Sequence, residues 1–254
     1  MGPATVCLVN TGHPTVVHAF TATVDARRDQ PLITYYDDAT GERTELSGAT
    51  LANWVAKTAN LLVDGLGLGP GQVAAVRLPP HWQTAAVLLG CWAAGLTVDL
   101  TGDRRADVAF VGPPFLAPAA DGSPFSAPEA DEVYALALDP LGQPFRPGPP
   151  PGTADFIVEM RPHGDRLSFV ATTPDQVALA DGPRHAELVA QARRVGIPES
   201  ARVLIDADAF PDPVVWLAAP LVVGTSVVAC RHLDPTRLPG RLATERAVPF
   251  APTA

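Results

Sequence analysis

Two carboxylates and an aromatic ring stand at alternate positions at the end of a predicted strand: Asp206, Asp208 and Phe210. The carboxyl ends of strands are the usual ligand position in an open parallel sheet, and a carboxylate pair there could hold a cation or an amine. The competing reading is polar capping of the helix that follows. Other reactive side chains are set less well for chemistry. His163, His185 and His232 lack a ligand spacing such as H-x-x-x-H, and Cys7, Cys91 and Cys230 form no C-x-x-C, so no metal centre is predicted. Ser168 has no G-x-S-x-G around it, which argues against a hydrolase nucleophile. Asp99 and Asp103 stand next to Arg104 and Arg105 and are expected to form local ion pairs. His81-Trp82 reads as a helix start with a buried indole. Lys57, the single lysine of the chain, is expected to be solvated on an early helix.

The elements that must position these groups follow from periodicity and punctuation. Leu32 to Tyr36 alternates as a strand, 37–41 is turn chemistry, and Arg43 to Leu46 returns. Ser47 is a plausible helix cap, and Leu51, Trp54, Val55, Thr58, Leu61 and Leu62 make one apolar helix face. Val73 to Leu78 is a buried strand stopped by Pro79-Pro80; a helix over 81–94 and a strand over 96–100 complete a βαβ unit. Strands are also predicted over 108–111, 133–138, 176–180, 202–206 and 225–230, and helices over 183–195, 213–223 and 238–245. A helix at about 15–28 is weakened by Pro14 and by β-branched residues. Residues 113–151 hold 11 of the 28 prolines, so this stretch reads as a connector.

At 254 residues, 47% of them apolar, the chain is globular with a sizeable core. A net charge of −9 argues against nucleic-acid binding. The apolar runs 82–98 and 213–230 read as buried α/β elements, the second broken by Pro220 and Gly224, and no membrane association is expected. No basic region precedes the apolar part of the N-terminus, so no signal peptide is expected. Unpaired cysteines fit a reduced, cytoplasmic compartment.

The stretch 32–100 resembles the opening of the adenylate-forming superfamily of acyl-CoA synthetases, adenylation domains and luciferases. The resemblance is carried by Ile33-Thr34-Tyr35, the helix around Trp54, Gly67-Leu68-Gly69-Pro70-Gly71, Leu78-Pro79 and Cys91-Trp92-Ala93-Ala94-Gly95. Downstream, 216–228 (WLAAPLVVGTSVV) is similar to the family's "LLAPLLAGATVV". More narrowly, the chain is similar to short actinobacterial proteins related to AMP-dependent synthetases. The resemblance implies an α/β fold, with mostly parallel sheets and helices on both faces. It implies a single N-terminal-domain-like unit over 1–254, in which α/β subregions 1–112 and 166–254 are joined by 113–165, without the family's C-terminal lobe.

The resemblance also places the family's Ser/Thr/Gly-rich phosphate loop at Ser168, Thr172, Thr173 and Asp175. In the family that loop ends in Pro-Lys-Gly, and its glycine N–H groups, hydroxyls and lysine hold triphosphate. Here no glycine lies between Ser168 and Gln176, and Asp175 stands about where the lysine belongs. A carboxylate facing triphosphate is repulsive by a few kcal/mol. The expectation is a non-catalytic relative of AMP-forming acid ligases, with no catalytic residues and no required cofactor, acting as a small-ligand-binding or regulatory domain. Its ligand would be a small-molecule carboxylate or a nucleotide, ATP or AMP. The alternatives are a ligase activity completed in trans by a separate lobe, and a protein interaction module with a protein partner.

Overall fold

The computed structural model describes residues 12–116, 125, 127–167, 169–198 and 202–251. Helix α1 (Val16–Ala26) starts at Thr15, whose hydroxyl accepts the His18 N–H at 3.3 Å. Strands β1 (Pro31–Asp37) and β2 (Glu42–Ser47) form an antiparallel hairpin. Ser47 caps α2 (Gly48–Asn60) by accepting the Thr50 N–H at 3.2 Å, and a π-helical turn over Leu61–Gly65 ends that helix. Then come β3 (Val73–Arg77), α3 (Trp82–Ala93), β4 (Thr97–Asp99), β5 (Ala106–Val111), β6 (Ala130–Ala135), β7 (Ala154–Asp155) and α4 (Phe156–Met160). The remaining elements are α5 (His185–Arg194), β8 (Arg202–Asp206), α6 (Ala219–Val222), β9 (Val227–Arg231), α7 (Leu238–Glu245) and β10 (Ala247–Pro249).

The strands make two five-stranded sheets. One runs β10-β8-β9-β1-β2 and is parallel apart from its β1–β2 edge; the other runs β4-β3-β5-β6-β7 and is parallel throughout. The N-terminal hairpin therefore belongs to the sheet built from the C-terminal strands: Ile33 pairs with Val227 and Tyr35 with Ala229.

Strand side chains alternate between faces, so each sheet is read twice. Ile33, Tyr35, Val203, Ile205, Val227 and Ala229 join the main core, together with Ala74, Val76, Val108 and Phe110 of the other sheet. Buried residues of α1, α2, α3 and α5 belong to the same core. α3 is buried along its whole length, which explains why its sequence is apolar on every side. It passes α2 closely at Gly90, where a Cβ would lie 2.5 Å from Thr58 Cγ2. On the opposite face of the first sheet, Leu204, Val228 and Cys230 pack under Leu238 and Leu242 of α7. That helix is held by buried charge. Arg241 donates to Asp38 at 2.6 and 3.1 Å, and Glu245 accepts from the Tyr36 hydroxyl at 2.6 Å and from Arg43 at 3.0 Å.

Some expectations differ from the structure. Residues 176–180 are not a strand but a turn with two isolated bridges, Val98 to Leu179 and Val177 to Arg184. The 213–223 helix is split: a π-helical segment over Val214–Ala218 precedes α6. Pro220 has no N–H, and its ring would crowd the Trp216 carbonyl in a regular helix; a wider turn relieves this. β7, α4 and β10 were not predicted, because each is too short to show a period. Among the described residues no helix is long and apolar enough to cross a membrane.

Candidate functional site

The segment where the resemblance places a phosphate loop, 168–176, is closed on itself in its described part. Ser168 lies outside the described residues. Thr172 is only 4% exposed, and its hydroxyl donates to the Trp92 carbonyl at the end of α3. The Ala171 N–H donates to the Ala93 carbonyl at 3.0 Å. Thr173 N–H is taken by Gln176 Oε1 at 2.8 Å, and the Gln176 N–H returns to the Thr173 carbonyl at 3.3 Å. The α5 start is tied to the same turn, because the N–H groups of His185 and Ala186 donate to the carbonyls of Gln176 and Pro174, each at 3.0 Å. Asp175 is exposed, and its backbone carbonyl accepts from the Arg184 guanidinium. On the far side the Trp92 indole donates to the Ala178 carbonyl at 3.0 Å.

Behind this turn sits His185, fully buried, with neither ring nitrogen hydrogen-bonded and its ring edge-on to Trp92 at 6.2 Å. Burial without a partner disfavours the imidazolium and pushes its pKa down to about 4.

Asp206, Asp208 and Phe210 do lie at the end of β8, but the carboxylates are each spent separately. Asp206 Oδ1 accepts the N–H groups of Asp208 at 3.1 Å and Ala209 at 3.2 Å. Asp208 accepts Arg231 Nε at 2.8 Å and the His232 N–H. Desolvation is the largest single influence and opposes the Asp208 charge, but the Arg231 bond, the His232 N–H and the nearby positive charge together outweigh it and hold the carboxyl below its usual range. The ring of Phe210 packs edge-on to Phe250, 5.0 Å between centroids. Neither carboxylate caps the helical segment that follows, whose first N–H, at Val214, is taken by Asp212 Oδ1 at 2.8 Å; Asp206 closes the 206–209 turn and Asp208 is held by Arg231 and His232.

Other singled-out side chains also have protein partners. Lys57 is not freely solvated: its ammonium donates to the carbonyls of Arg161 at 3.0 Å and His163. The expected ion pairs of Asp99 and Asp103 with Arg104 and Arg105 do not form. Asp99 instead accepts the Thr101 N–H at 2.8 Å, while Arg104 pairs with Asp181 and Arg105 with Glu129 and Asp131. The reason is local: an acceptor two residues before an N–H closes a turn more cheaply than it reaches a flexible arginine. His81 caps α3, its Nδ1 accepting the Gln83 N–H at 3.1 Å, and Trp82 is buried as expected. His232 Nδ1 lies 2.8 Å from Asp37 Oδ1. Among the described residues no group of three His, Cys, Asp or Glu side chains could hold a metal ion.

What the sequence did not reveal is a cavity of about 240 Å³ at the carboxyl ends of β3, β4 and β5. Its walls include Leu78, Pro79, Leu100, Phe115, Pro213 and Trp216. Its two polar lining side chains are self-satisfied: Thr84 Oγ1 donates to the Pro79 carbonyl at 2.7 Å, and Trp216 Nε1 to the Pro211 carbonyl at 3.1 Å. The one available signal was proline at two strand ends, Pro79-Pro80 and Pro211/Pro213, flanking an indole.

No family model matches the chain. It is similar in fold to three solved structures: the anthranilate CoA ligase AuaEII in complex with anthranoyl-AMP, a Brucella canis acyl-CoA synthetase, and a Mycobacterium tuberculosis fatty acyl CoA synthetase. TM-scores are 0.62, 0.67 and 0.62 at 16%, 16% and 13% identity, over 84%, 94% and 92% of this chain. The chain spans under half the length of each of them: 44%, 47% and 48%. Its fold is that of the N-terminal domain of acyl-CoA synthetases. In sequence it is 45% identical over 220 residues to a TIGR03089 family protein of Mycobacterium tuberculosis (strain ATCC 25618 / H37Rv), a match covering 85% of this chain and 89% of that protein. With that identity over that share of both chains, this protein belongs to the TIGR03089 family.

Proposed function

We propose that this chain is a non-catalytic relative of AMP-forming acid ligases that binds a small, largely apolar ligand, in a regulatory or carrier capacity. The observation that carries the reading is the state of the 171–176 turn. A triphosphate site needs N–H and O–H donors aimed outward and a cation beside them. Here the Thr172 hydroxyl and the Ala171 and Thr173 N–H groups all point to protein acceptors, and Asp175 adds a negative charge. Lys57, the chain's lysine, is engaged at residues 161 and 163. The ligand half of the reading rests on the cavity beside Trp216, whose polar groups offer a ligand no free donor.

The test is pyrophosphate exchange with ATP and magnesium over a panel of carboxylic acids. The expected result is no exchange above the protein-free blank; ATP-dependent turnover overturns the proposal. For the ligand half, an apolar ligand supplied at 100 times its dissociation constant stabilises the fold by about 2.7 kcal/mol, readable as a thermal shift. A panel of medium-chain hydrocarbons, alcohols and acids that moves nothing overturns that half.

A further inference from the structure

We infer that Arg77 is a head-group site for an anionic amphiphile whose tail occupies the apolar cavity beside Trp216; this rests on the reading that the cavity takes an apolar ligand. Arg77 is the last residue of β3 and Leu78 follows it. Successive side chains leave a strand on opposite faces. Leu78 accordingly lines the apolar cavity, and Arg77 lines a second cavity, of about 330 Å³, with Gly102, Val111 and Glu129. Phe115 borders both, so one ring separates the apolar space from the cationic one.

The guanidinium of Arg77 lies 4.5 Å from the centroid of the Phe115 ring. Stacking fixes the plane of the guanidinium and leaves its N–H edges free for a planar or tetrahedral oxyanion. Among the described residues, no hydrogen bond or ion pair from the Arg77 side chain occupies those edges. The carboxylate that shares the cavity, Glu129, is instead paired with Arg105 at 3.3 Å. Gly102 keeps the space open, because a Cβ there would stand 2.9 Å from Arg77 Cδ. A cation that is oriented, unpaired and next to an apolar hollow is matched by a carboxylate or a phosphate carried on a hydrocarbon tail.

The test is calorimetric titration of the whole chain with decanoate, decyl phosphate, decanol and decyltrimethylammonium, each below its micelle concentration. The two anions are expected to bind at least tenfold tighter than decanol, and the cation more weakly than decanol. Whichever anion binds tighter names the head group. In Arg77→Gln the anions fall to the affinity of decanol while decanol itself is unchanged; Arg77→Lys retains part of the preference. Thermal melts of both variants confirm that they are folded. Decanol binding as tightly as the anions, or a preference that survives Arg77→Gln, overturns the head-group site and leaves the apolar cavity standing. No binding by any of the four overturns the cavity reading, and this inference falls with it.

Discussion

The indole nitrogen of Trp92 donates to the carbonyl of Ala178 at 3.0 Å, and the backbone carbonyl of the same Trp92 accepts the hydroxyl of Thr172. One residue at the end of α3 therefore holds both sides of the 172–178 turn. Trp92→Phe keeps a ring in the core but removes the donor, and should cost about 1–2 kcal/mol in urea unfolding. The Ala180 amide, which donates to the Val98 carbonyl at 2.8 Å, should exchange with solvent faster in the variant. Unchanged exchange there would show that the turn is held by other means.

The buried pair Asp38–Arg241 holds α7 to the hairpin. Each side chain is 6% exposed, and the Arg241 guanidinium also lies over the Tyr36 ring at 4.1 Å. Asp38→Leu strands the Arg241 charge and should cost about 3–5 kcal/mol; Arg241→Met leaves Asp38 with the exposed Arg237 at 3.4 Å and the Asp234 N–H and should cost less, and the double variant should recover much of the Asp38→Leu loss. The Arg241 bond lowers the Asp38 pKa from 3.8. Its contribution is therefore present above that value and lost as pH falls through the lower, folded one. Denaturation of the two single variants and the double variant checks both points.

His185 sets a pH dependence of its own. Its folded pKa, about 4, lies below the ordinary 6.5. Above pH 6.5 the group is neutral in both states and costs nothing by this route. Below it the unfolded chain takes up a proton that the folded one refuses, so stability falls, by about 3 kcal/mol by pH 4. His185→Leu removes this titration, so the wild-type minus variant stability difference should fall by about 3 kcal/mol between pH 7 and pH 4. A difference that does not vary with pH would mean the imidazole has access to water.

Gly90 lets α2 and α3 approach. Gly90→Ala places a methyl 2.5 Å from Thr58 Cγ2 and 2.6 Å from Thr58 Cβ, and should destabilise by about 1–3 kcal/mol despite the better helix propensity of alanine. Adding Thr58→Gly should recover part of the loss, a non-additivity that a double-mutant cycle reads directly.

Lys57 reports on the 161–166 segment. Because its ammonium is bonded to the Arg161 and His163 carbonyls, an amine-reactive reagent should modify it more slowly in the native protein than in urea. Equal rates would show that the clamp opens freely. Lys57→Met should cost about 1–2 kcal/mol.

Much of this was legible where a period runs long enough to be read. The apolar stripe from Leu51 to Leu62 and the apolar run from Trp82 to Ala94 marked α2 and α3 because helical and buried periods repeat over three turns. Ala154 to Met160 was not legible: a two-residue strand and a one-turn helix carry no period, and their order comes from Asp155, which caps the helix by accepting the Ile157 N–H at 2.9 Å. Thr172 could be named from its hydroxyl, but not the direction of its bond, since the acceptor Trp92 lies 80 residues earlier. The cavity beside Trp216 was hidden for the same reason: its walls come from four strand-end segments that meet only in the fold.

The placement of β1 beside β9 has a consequence for synthesis. Asp37 and His232, bonded in the finished protein, are 195 residues apart in the chain. As the polypeptide leaves the ribosome, the β1–β2 hairpin has no sheet to join until β9 has emerged. Its long-range pairing makes this sheet the slow, late-closing half of the molecule, and an exposed Leu32-to-Tyr36 edge is where a stalled or prematurely ended translation product would first stick to its neighbours.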